Sequence, residues 1–178
     1  MEPTASKQLA LKPQDLVVAL KVAVNADRGF LFAELASELS MAVSAVHGSV
    51  SRAEQARLLS RATGSLRATP GALREFVSFG ARYAYPGALG TLTRGVPTGV
   101  AGPVLRHNFH LPGSLQPVWP TADGEEFGLG LIPLHPSVPN ACKTDGRLYE
   151  VLSLLDAIRV GAARERELAI QELAERLT

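Results

Sequence analysis

Four residues able to hydrogen-bond, Ser44, His47, Ser51 and Gln55, recur at intervals of three, four and four, which on a helix lines them along one face. Hydroxyl, imidazole and amide groups in such a row suit contact with base edges and backbone oxygens in a DNA groove. Arg52, Arg57 and Arg61 follow or extend the row, Arg67 comes next, and only Glu54 opposes them. They supply cations for a phosphate-contacting edge. The candidate DNA-contacting residues are therefore Ser44, His47, Ser51, Arg52, Gln55, Arg57 and Arg61. A base-reading arginine or asparagine near the helix start is missing, so only modest sequence preference is expected. Gly48 inside the same segment weakens the helix by about 1 kcal/mol.

Other chemistry is weakly signalled. His107 and His110 are separated by two residues, but no paired cysteine or histidine cluster accompanies them or His135, so no metal is expected. Cys142, the only cysteine, has no neighbouring base and is not read as a nucleophile. Asp123, Glu125 and Glu126 flank Gly124 and read as a solvated hairpin tip. The glycines satisfy neither a phosphate-loop nor a dinucleotide pattern. No catalytic residues and no cofactor are expected, and the chain is not read as an enzyme. Arg94, the only charge within Thr91–Thr98, fits an anion or partner contact. Bonding to loop carbonyls is the favoured reading, because irregular buried backbone needs partners.

Helices must position these groups. Lys12-Pro13-Gln14-Asp15 opens a first helix ending near Asn25, with proline suited to the first turn and Asp15 to the helix dipole. Leu16, Val17, Leu20, Val24 and Ala23 would form its buried face. Asp27-Arg28-Gly29 turns into a second helix with Leu31, Leu35, Leu39 and Ala36 apolar. After a break at Ser40-Met41, Val43, Val46 and Val50 give a third helix its core side. Arg57–Ser60 and Ser65–Thr69, around a Gly64 turn, predict a short two-stranded hairpin. Thr69-Pro70 starts a further helix to about Ala84, with Leu73, Phe76, Val77 and Tyr83 as its stripe.

From Pro86 to Pro139 lie nine of the twelve prolines and nine of the sixteen glycines, which excludes a long regular helix. The segment is too apolar for a disordered linker. It is expected to wrap over the helices, with short strands near Pro117–Trp119 and Phe127–Ile132 bridged by Asp123-Gly124. Beyond it, Leu148, Val151, Leu152, Leu155 and Ile158 mark one helical face. Leu168, Leu173 and Leu177 mark another after Gly161. These C-terminal helices are candidates for dimerisation or for the monomer's core.

The N-terminal pattern resembles the winged helix-turn-helix domain of bacterial MarR-like regulators over roughly Leu11 to Thr69, fused here to a Pro/Gly-rich C-terminal region. The resemblance implies DNA binding, with the third helix in the major groove and the hairpin as the wing. At 178 residues and a net charge of +1, the whole chain is not strongly basic. The segment to Arg82 nevertheless carries a small basic excess while the rest is slightly acidic. No apolar run approaches a bilayer's width, and the N-terminus lacks a secretory signal's basic segment and apolar core. A cytoplasmic protein without membrane contact is expected.

The expected fold is mainly α: an N-terminal winged helix-turn-helix with short wing strands over 8–69, then a loop-rich middle with a few short β-strands and C-terminal helices over 70–178. The two parts are expected to pack as one compact unit. The expected function is transcriptional regulation by a homodimer on double-stranded DNA, since symmetric pairs read paired half-sites. The alternative is a protein-interaction adaptor, or an antitoxin-like partner protein whose winged helix is a scaffold.

Overall fold

The computed structural model describes residues 10–62, 64–110, 112 and 115–178, and it is mainly helical. Helix α1 (Pro13–Val24) starts with proline in its first turn, and the Lys12 N–H donates to Asp15 Oδ2 at 2.7 Å. Its sequence predicts one buried face; instead every residue from Asp15 to Val22 is buried. It is a central helix, packed against α3 (Val43–Gln55), α4 (Pro70–Glu75), α7 (Gly146–Val160) and a hairpin strand.

Helix α2 (Phe32–Glu38) buries Leu35 and Ala36, with Leu39 buried just beyond it. Leu31 departs from the predicted stripe. It precedes the helix in extended conformation and is 69% exposed, while its N–H donates to Glu34 Oε2. Between α2 and α3 the chain reverses through Ser40 at φ 51°, a left-handed conformation that costs a non-glycine residue about 1 kcal/mol. Helix α3 buries Val46, Val50 and Ala53, whereas Val43 at its start stays exposed. Strands β1 (Leu59–Ser60) and β2 (Arg67–Ala68) then pair antiparallel, a hairpin shorter than its sequence predicts. Buried Leu58, Leu59 and Leu66 anchor it.

Helix α4 runs through a π turn (Phe76–Gly80) into α5 (Ala81–Ala84). The wider turn unwinds the helix relative to α periodicity. Leu73 and Val77 face the core as predicted, but Tyr83 is rotated out to 74% exposure, and Ala81 and Tyr85 take the inner positions.

The Pro/Gly-rich middle closes into a three-stranded barrel of β3 (Leu89–Pro97), β4 (Pro117–Pro120) and β5 (Glu126–Leu131). The last two strands match their predicted places, but they pair parallel instead of as a hairpin; β3, unpredicted, runs antiparallel to both. So narrow a barrel has little room for side chains inside, and the fully buried Val118 stands against Gly95 and Gly128 there. A Cβ on Gly95 would stand 2.2 Å from the Trp119 carbonyl oxygen, and one on Gly128 would stand 2.1 Å from that of Gln116. Leu92, Phe127 and Ile132 are accordingly left exposed.

A short helix missed by periodicity, α6 (Val138–Thr144), leads into α7, which ends at Gly161 before α8 (Ala163–Arg176). Helix α7 is buried from Val151 to Ile158 within the monomer, and Ala169, Leu173 and Leu177 at α8 are buried too. The C-terminal helices thus serve as core. One hydrophobic cluster joins α1, α2 and α3 to α7 and α8, so segments 10–69 and 70–178 share an interior. Asp156, itself buried, ties the barrel to α7 by accepting from Thr98 Oγ1 at 2.8 Å and Trp119 Nε1 at 2.6 Å. Burial pushes its carboxyl above its usual value, against the pull of Arg159 and these donors. Among the described residues, no helix is long and apolar enough to cross a membrane.

Candidate nucleic-acid interface

Because Val46, Val50 and Ala53 anchor α3 from beneath, the opposite face of the helix is turned outward. Ser44, His47, Ser51 and Gln55 are all exposed there. The four residues read from spacing therefore do share a face. His47 is stacked on Phe32 of α2, with ring centroids 3.9 Å apart and planes at 22°, which restricts the imidazole's orientation. Phe32 lies fifteen residues away, and nothing in the helical spacing signals this contact.

The arginines are less uniform. Arg52 turns inward: its Nε donates to Asp15 Oδ2 and its Nη2 to Asp15 Oδ1, both at 2.7 Å. Asp15 has no exposure at all, so this bidentate pair fixes α3 to α1. Those bonds also hold the Arg52 guanidinium above its ordinary pKa. Gly48 acquires a reason, since a Cβ there would lie 3.1 Å from Arg52 Nη1. A helix-weakening residue makes room for the cation. Arg61 reaches back to Glu54, with Nε 2.7 Å from Oε1, and its guanidinium carbon lies 5.8 Å from the Phe32 ring centroid. Arg67 donates to the Ala26 carbonyl. Arg57 is exposed just past the end of α3 at φ 61°.

A second buried network ties α2 to the C-terminal half. The Lys21 ammonium, 3% exposed, bonds Glu38 Oε2 at 2.6 Å and Asp145 Oδ2 at 2.5 Å. Asn25 donates to the same Asp145 oxygen, whose partner oxygen caps α7 by accepting the Leu148 N–H. Burial pushes both carboxyls up. Bonds from Arg28 and Lys21 to Glu38, and from Lys21, Leu148 and Asn25 to Asp145, outweigh it and leave each below its usual value. The orientation of α2 is thus set from α1 and α7.

The remaining chemistry-capable residues are dispersed. His107 and His110 are exposed, and His135 Nδ1 is engaged by Ser137. Among the described residues, no group of three or more His, Cys, Asp or Glu converges. Burial pushes the Cys142 thiol far up, with Asp145 and Asp156 adding to the effect. Asp123 pairs with Lys143 and accepts from Thr121 Oγ1, which pulls its carboxyl down to about 2. Arg94 Nη1 donates to the Gly124 carbonyl at 3.4 Å, in line with the loop-bonding expectation.

Comparison with known proteins finds no matching family model, no matching curated protein and no matching solved structure.

Proposed function

We propose that the chain is a DNA-binding transcriptional regulator, with α2 and α3 as a helix-turn-helix, β1–β2 as its wing, and a homodimer as the active form. The exposed row Ser44, His47, Ser51 and Gln55 on a firmly anchored α3 carries this reading. The tight reversal at Ser40 and the hairpin directly after α3 support it, as does the resemblance to MarR-like domains. Ser44, His47 and Ser51 would face base edges, while Gln55 and Arg57 would touch the backbone. Arg61 would join them by exchanging Glu54 for a phosphate. Arg52 would act indirectly, by holding α3 in place.

Fluorescence anisotropy with a duplex pool that includes the upstream region of the gene tests it. Tight, sequence-dependent binding that weakens steeply between low and physiological salt is expected. Arg57→Ala should weaken binding to all sequences and reduce the salt slope by about 1. Absence of binding at low salt would refute the reading. The internal pairing of Arg52 and Arg61 favours the second reading, a protein-interaction adaptor, whose affinity for its partner would depend far less on salt.

A further inference from the structure

Val43 is the first residue of α3, and it is 45% exposed although Val46 and Val50 on the same helix are fully buried. It belongs to the predicted apolar stripe by spacing but not by position. The core side of the first turn is only about half covered. Ser44 is exposed beside it and His47 lies one turn further on. In a helix-turn-helix the first turn of the second helix is the part that reaches base edges. The thymine 5-methyl group is the one apolar feature of the major-groove edge, and a short branched aliphatic side chain complements it, whereas hydroxyl and imidazole groups match the polar atoms alongside.

We propose that Val43 is a specificity-determining residue that reads a thymine methyl group in the major groove. This inference rests on the DNA-binding reading above. It accounts for a half-exposed β-branched residue at the helix start, and it supplies base discrimination in a helix that lacks an arginine or asparagine there.

The test starts from duplexes selected out of a random library by the full chain. Each thymine in a selected duplex is then replaced singly by deoxyuridine, which removes only the methyl group. One thymine per half-site should show about fourfold weaker binding on replacement, the value of a single buried methyl-sized group. Val43→Ala should abolish that difference while leaving the effects of polar base changes elsewhere intact. Val43→Ile should preserve it. The position is exposed and alanine favours helix, so the variant is expected to fold. A thymine-to-deoxyuridine effect that persists in Val43→Ala, or no methyl-sensitive position at all, would overturn the assignment while leaving DNA binding standing. Recovery of no bound duplex would overturn both.

Discussion

Between α1 and α3 the interior is filled by Leu16, Leu20, Val46 and Val50, all without exposure; between β3, β4 and β5 the corresponding space is held by Gly95, Gly128 and Gly130. The helices meet through side chains, and the strands meet around Val118 because Gly95 and Gly128 beside it have none. The first arrangement can lose atoms at a graded cost, since the neighbours of a trimmed residue partly relax. The second can gain none at Gly95 and Gly128, because the first atoms that an added Cβ would strike there belong to backbone.

The largest effect that would sharpen this contrast is expected from Gly128→Val. Its side chain has no space beside the Gln116 carbonyl, so stability should fall by more than about 4 kcal/mol. Thermal unfolding and the emission of Trp119, which lies on β4, would follow it. A fully folded variant with unchanged Trp119 emission would break the account of the barrel.

Arg52→Ala comes next. It leaves Asp15 buried with only the Lys12 N–H near its carboxylate among these bonds, and about 3 kcal/mol should be lost in urea titration. Unaltered stability together with weaker DNA affinity would return Arg52 to the phosphate edge.

The acid limb gives a smaller effect. Asp145 and Glu38 are held below their usual values in the folded chain. Below about pH 4 the unfolded chain therefore binds protons that the folded chain does not, and stability falls as pH drops through the folded values. Asp156 has the opposite sign, its charge being a cost that protonation relieves. Asp145→Asn should thus make the loss of urea midpoint between pH 7 and pH 3 shallower than in the parent chain. An equal or steeper loss would contradict the Lys21 network. The smallest change is Gly71→Ala, in a helix with nothing within 4 Å of the added Cβ. It should gain about 0.5–1 kcal/mol, the reverse of Gly128→Val.

The same contrast explains what could be read in advance. Helices α1, α3, α7 and α8 repeat apolar residues at helical spacing, and Leu16, Leu20, Val46, Val50, Leu148, Leu155 and Leu173 are buried as it predicts, whereas α1 and α7 are buried beyond a single face and Val43 is exposed. Strand β3 inverts the usual rule: its inward Gly95 has no side chain and Leu92 points outward, so alternation carries no signal. In α6, Pro139 and the short length hide the helix. At the candidate interface, the row Ser44, His47, Ser51 and Gln55 is legible because it depends on one helix alone. The fates of Arg52 and Arg67 are not, because Asp15 and Ala26 come from segments about forty residues away in sequence. Helical spacing misplaces Tyr83 because a π turn, which spacing does not announce, lies before it.

The ring of β3, β4 and β5 also has a consequence for association. Each of these strands is paired with the other two, but β4 reaches β3 only at Gly95–Pro97 and β5 only at Leu129–Gly130, so unpaired edge is confined to the stretches of β3 before Gly95 and of β5 before Leu129. The other sheet among the described residues, β1–β2, is two residues long per strand and too short a template. A foreign strand could therefore add only along those short stretches of β3 and β5, and a protein partner elsewhere must engage side-chain surfaces instead of extending a sheet.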